Sequence, residues 1–104
     1  MSVAEFFDNR KQDVLAGIVA RARYGEICVT WPDGSEQTYK GGGPGPSCDV
    51  KFHSANAVGK VLRDGKIGFC EAIIDGEVTS SNLPKVIEFA VVHDSYLEIA
   101  LRAN

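Results

Sequence analysis

A chain of 104 residues, 44% hydrophobic and 24% charged, is one folded domain (residues 1–104) with material for a single core, and its composition is not that of a disordered chain. Eleven basic and fourteen acidic residues leave a net charge of −3, which argues against nucleic-acid binding and against docking on an anionic membrane by charge alone. The excess is uneven, +1 over residues 1–70 and −4 over residues 71–104, as two solvated helix faces would give.

The spacing predicts a helix over residues 3–23. Ser2 and Glu5 form a capping-box pattern at its start. Phe7, Val14, Leu15, Ile18, Val19 and Ala22 recur at helical intervals, with Arg10, Asp13 and Arg21 on the other side. Gly17 weakens the helix, and Gly25 suits the left-handed stop position. Residues 26–31 alternate, with Ile27, Val29 and Trp31 on one face. Pro32-Asp33-Gly34 is hairpin chemistry leading into a return strand at 35–40. The run Gly41-Gly42-Gly43-Pro44-Gly45-Pro46 is expected to be a loop, since neither a helix nor a central strand accommodates it. A further strand at 48–53 places Cys48, Val50 and Phe52 inward and Asp49, Lys51 and His53 outward.

Ser54 is expected to cap a short helix with Ala55, Val58, Val61 and Leu62 on its apolar face and Asp64-Gly65 at its end. Over 66–74, Ile67, Phe69, Glu71 and Ile73 alternate with Gly68, Cys70, Ala72 and Ile74, the pattern of a strand. Asp75-Gly76 then serves as a tight hairpin turn into a strand at 77–79. Ser81 or Asn82 caps a last helix, with Pro84 in its first turn. Its buried stripe is Leu83, Val86, Ile87, Ala90, Val91, Leu97 and Leu101. The order α-β-β-β-α-β-β-α implies an α+β fold, a small antiparallel or mixed sheet of about five strands covered by helices.

No catalytic constellation emerges. The glycine-rich run matches no phosphate-binding pattern: Pro46 and Cys48 stand where GxGxxG needs glycine, no Gly-Lys-Ser/Thr follows, and the two prolines remove amides. It is expected to be a structural turn. Glu71 lies in an apolar run, and a buried carboxylate must find hydrogen bonds, so it is expected to anchor backbone amides. His53 and His93 lack a second ligand at helical spacing and are expected at the surface or in an interface, with no metal site. Cys28, Cys48 and Cys70 are odd in number and form no CxxC, so they are expected to be reduced packing residues. No apolar run reaches the ~18 residues of a membrane span, and the N-terminus lacks a signal-peptide layout, so a cytoplasmic location is expected. The apolar surplus, including Phe6 and Phe7, belongs to the core or is left over for an acyl chain, a membrane surface or a partner.

Over Gly25–Leu83 the chain resembles the N-terminal region of the cyclopropane-fatty-acyl-phospholipid synthase family. The resemblance rests on Gly25-x-Ile27-x-Val29, Pro32-Asp33-Gly34, the Gly41–Pro46 run and Val50-x-Phe52-His53. It continues through Gly65-x-Ile67-Gly68-Phe69-x-Glu71-Ala72 and Asp75-Gly76-Glu77 to Leu83. Ile73 stands where that family commonly has an aromatic residue, and Val78 where Trp is frequent. The resemblance implies a non-catalytic accessory domain that handles or orients phospholipid acyl chains. The S-adenosylmethionine-dependent methyltransferase domain of that family has no counterpart here, so no cofactor is expected. The element order also looks like that of sterol-carrier-protein-2-like domains, an analogy of topology alone.

The expected lipid- or partner-contact residues are Phe6, Phe7, Val14, Leu15, Phe69 and Ile73. Gly41, Gly42, Gly43, Pro44, Gly45, Pro46, Glu71, Asp75 and Gly76 form the structural motif. Expected partners are a phospholipid or fatty acyl chain, a methyltransferase domain or subunit, or a second copy in a homodimer, at a cytoplasmic site peripheral to the inner face of the membrane. The alternative is a docking or dimerisation domain that binds a methyltransferase subunit without touching lipid.

Overall fold

The computed structural model describes residues 3–93. Its first element, α1 (Val3–Val19), ends four residues before the predicted boundary, and backbone bonds from Arg21 and Ala22 to Ile18 and Val19 carry the chain onward as a turn. Ser2 of the capping box lies outside the described residues, as do Leu97 and Leu101.

Strands β1 (Tyr24–Thr30), β2 (Glu36–Lys40), β3 (Gly43–Phe52) and β4 (Val78–Thr79) form one mixed sheet in the order β2-β1-β3-β4. β1 is antiparallel to β2 and parallel to β3, and β4 is antiparallel to β3. The alternating positions behave as predicted: Ile27, Val29, Trp31, Cys48, Val50 and Phe52 are buried. Glu26, Cys28, Thr30, Asp49 and Lys51 turn to the opposite, polar face. The β1–β2 turn has the expected chemistry, with Gly34 at φ +89° and the Asp33 carboxylate accepting from the Ser35 amide (2.9 Å) and hydroxyl (2.6 Å). These two bonds hold the Asp33 carboxyl below its ordinary 3.8.

The glycine-proline run is not the loop predicted for it. The chain leaves β2 on one side of β1 and must begin β3 on the other, and it crosses the start of β1 through Gly41 and Gly42. Backbone bonds from Gly41 to the Gly25 carbonyl (2.8 Å) and from Gly43 to the Arg23 carbonyl (2.9 Å) fix the crossing. A Cβ at Gly41 would overlap the backbone of Arg23 and Tyr24, one at Gly45 would press on the Gly25 backbone, and one at Gly25 would strike the Pro46 carbonyl. Gly43–Pro46 then belong to β3. Prolines are tolerated there because the register shifts between Tyr24 and Glu26 on β1, leaving Pro44, Gly45 and Pro46 opposite Gly25 alone. β4 reaches only Lys51 and Phe52, so no strand on that side asks the prolines for a donor.

The second correction concerns residues 66–74, which are helical, so the sheet has four strands rather than about five. α2 (Ala55–Ile74) starts at a Ser54 cap, whose hydroxyl accepts from the Ala57 amide (3.2 Å). Gly65 breaks it with φ 61° and ψ −131°, a conformation open to glycine. The chain then resumes as helix. The bend is sharp: eight residues of straight helix would span about 12 Å, yet a Cβ at Gly68 would overlap the Lys60 carbonyl. Lys60 also bonds Asp75 (2.9 Å) and reaches Glu77 (3.8 Å), tying the first half of α2 to the chain leaving the second. Gly68 and Ala72 form the buried stripe of the second half, with Phe69 and Ile73 beside it. Alternation misleads here because 69 and 73, a helical pair, also satisfy a two-residue period. Asp75-Gly76 closes the helix instead of turning a hairpin: Gly76, at φ +77°, donates to Ile73 and Glu77 donates to Ala72.

α3 (Leu83–Val92) starts at Asn82, whose side chain accepts from the Lys85 amide, with Pro84 in the first turn. Its buried positions are Val86, Phe89 and His93, whereas the predicted stripe members Ile87 and Val91 are exposed. The helix packs on β3 and β1 with the 86-89-93 spacing inward, which rotates Ile87 and Val91 to the outside. Among the described residues the helices pack on the apolar sheet face, where Trp31 and Phe52 stack at 5.5 Å within 12° of parallel. The three thiols are reduced, but they do not all pack: Cys48 is buried, Cys28 is half-buried on the polar sheet face, and Cys70 is exposed on α2. Burial raises the Cys48 thiol from 9.0 to about 11, with the adjacent Asp49 charge adding to the effect.

Candidate functional site

Between the sheet and the helices lies a cavity of about 110 Å³. Its floor is the sheet, through Ile27, Val29, Val50 and Phe52. Leu15 and Ile18 of α1, Val61 of α2, and Val86 and Phe89 of α3 form the buried walls. Besides the buried His93, the other lining residues are only partly buried (Val19, Ala22, Gly65, Phe69, Ala90) or exposed (Lys66). The mouth therefore opens in the helical layer, where the end of α1, the bend of α2 and α3 meet. Only carbon faces the interior.

His93 stands at the end of α3 and forms part of this wall. Predicted at the surface or in an interface, it is instead buried within the fold, 3% exposed. Its Nε2 accepts from the amides of Arg23 (3.1 Å) and Tyr24 (3.2 Å), and its Nδ1 lies 2.9 Å from the Phe89 carbonyl. A carbonyl can only accept, so Nδ1 carries the proton, and Nε2 keeps its lone pair for the two amides: the ring is the neutral Nδ1–H tautomer. The imidazole packs against Phe89 at 4.4 Å between centroids and Tyr24 at 5.8 Å. Arg23 and Tyr24 are where the glycine-rich chain crosses β1, so His93 pins α3 to that crossing. Sequence reasoning missed this because the acceptors' partners lie about seventy positions away, beyond any local pattern.

The predicted contact residues separate into two groups. Leu15 and Phe69 line the cavity, and Ile73 packs against the core beside it. Phe6, Phe7 and Val14 lie outside, exposed on α1, with the two phenyl rings edge-to-face at 5.6 Å. Glu71 does not anchor backbone amides from a buried position. It is exposed on α2, because the helix turns its side chain away from the core that a strand would have faced. His53 is exposed as expected, with Nε2 2.7 Å from the Thr79 hydroxyl. The cavity residues Ile18, Val19, Ala22, Val86 and Ala90 stood in the predicted helical stripes. Phe89 did not, although the 86-89-93 spacing carries that signal.

Among the described residues, no group of three or more His, Cys, Asp or Glu side chains could hold a metal ion, and no helix is long and apolar enough to cross a membrane. Compared with protein-family models, curated proteins and solved structures, the chain gives no match.

Proposed function

We propose that the chain is a non-catalytic accessory domain that handles or orients phospholipid acyl chains in a cyclopropane-fatty-acyl-phospholipid synthase-like system. It would work in the cytoplasm, peripheral to the inner face of the membrane. The observation that carries this reading is the half-open cavity, whose interior surface is hydrocarbon throughout and to which the sheet and all three helices contribute. Hydrocarbon entering such a space leaves water and gains close contacts without stranding a polar group. The motif resemblance over Gly25–Leu83 supplies the lipid context.

A second reading is supported by the apolar side chains left uncovered: Phe6 and Phe7 on α1, and Ile87 and Val91 on α3, each about half exposed or more. They suit a docking or dimerisation domain that binds a methyltransferase subunit or a second copy. Native mass spectrometry of the gently purified chain separates the two. Added mass in the fatty-acid or phospholipid range, lost on denaturation, is the expected result. A dimer carrying no added mass would move the assignment to the docking domain.

A further inference from the structure

The cavity offers a ligand no hydrogen-bonding partner. Two of its lining residues carry polar side chains, and neither brings a polar atom to the interior surface. His93 uses both ring nitrogens within the fold, one on the Phe89 carbonyl and the other on two backbone amides. Lys66 is exposed at the mouth and brings no polar atom to the lining. A carboxylate, phosphate or hydroxyl drawn inside would lose its water and find no donor or acceptor in return.

Size sets how much of a chain fits. A dry apolar cavity of about 150 Å³ holds a benzene ring, which has six carbons. On that scale a cavity of about 110 Å³ takes about four carbons. That is too little for a whole acyl chain and enough for its end.

We infer that the cavity takes the methyl end of an alkyl chain, so that a lipid enters tail first and its polar end stays at the mouth in the helical layer. This deepens the acyl-chain reading proposed above and rests on it. A mid-chain segment would have to enter as a loop, bringing two strands of hydrocarbon through one mouth. A head-first ligand would bury its charge against carbon.

The test compares two soluble probes of equal chain length, octanoate with one carboxylate and octanedioate with one at each end. Binding is followed by ¹³C-methyl spectra of the full chain, at Leu15, Val29 and Val50. Octanoate is expected to shift these methyls at millimolar concentration, and octanedioate to bind at least about a hundredfold more weakly, because one of its charges would have to be desolvated without a partner. Equal binding of both probes would overturn the tail-first inference and leave the acyl-chain reading standing. Silence from both would sink the acyl-chain reading, and this inference with it. Ala22→Phe and Ala90→Phe, each placed at the mouth, should abolish the octanoate shifts. Shifts that survive in both folded variants would put the probe elsewhere and overturn the inference as well.

Discussion

Replacing His93 with phenylalanine keeps a ring between Phe89 and Tyr24 and removes both nitrogens. The amides of Arg23 and Tyr24 then lose their acceptor, and the Phe89 carbonyl loses a donor. A stranded buried polar group costs about 1 to 3 kcal/mol. The two amides are only partly buried, which puts each near the lower end, and the buried Phe89 carbonyl adds about 1 to 3, so the sum is about 3 to 5 kcal/mol. Against a stability of about 5 to 15 kcal/mol for a domain of this kind, that is a large fraction. With a urea slope of about 1 to 1.5 kcal/mol per molar, the unfolding midpoint should fall by about 3 M. Amide exchange at Arg23 and Tyr24 should accelerate along with it, and ¹⁵N spectra of the parent protein should show the Nδ1–H tautomer. A phenylalanine variant within about 0.5 kcal/mol of the parent would mean that water satisfies those amides, and the account of His93 as the clamp on the strand crossing would be wrong.

Two glycine-to-alanine changes should have opposite signs. At Gly68 the new methyl overlaps the Lys60 carbonyl, backbone that cannot swing aside, and should cost about 1 to 3 kcal/mol; at Gly17 it meets nothing and should add about 0.5 to 1 kcal/mol through helix propensity. Thermal unfolding followed by circular dichroism reads both, and equal shifts would refute the bent packing of α2. Among the thiols, Cys70 should react first with a neutral-pH alkylating reagent and Cys48 last, as peptide mapping would show. Because the folded state holds the Cys48 proton more tightly than the unfolded chain, stability should be intact below pH 9 and decline as pH rises toward about 11, an effect absent from Cys48→Ala.

Much of the fold was legible in the sequence because it is local. The β1 and β3 faces follow from strict alternation, the Ser54 and Asn82 caps from their chemistry, and the first hairpin from Pro32-Asp33-Gly34. The failures share a cause. Residues 66–74 satisfy both a two-residue and a helical period, and what decides between them is a contact between Gly68 and Lys60 that only the bend at Gly65 creates. The glycine-proline run looks like a loop because its reason for existing, passage over the start of β1, depends on where a strand some twenty residues earlier lies. Of the candidate site, Leu15 was found through its helical stripe, and Phe69 through an alternation that turned out to belong to a helix. The role of His93 was not, since an isolated histidine carries no mark of two backbone amides brought to it from the far end of the chain.

The prolines of β3 have a further consequence for how copies of this chain meet in solution. A strand with an open side is a template on which another chain can pair. β2 is one such edge, and it carries Glu36 and Lys40 at its two ends, so that an added strand would meet charge. β4 is only two residues long and offers little to pair with. That leaves the stretch of β3 beyond the reach of β4, where Pro44 and Pro46 have no N–H to donate. Each margin of the sheet is thus poor ground for strand addition. Substitution of both prolines by valine would open an edge prone to fibrillar assembly.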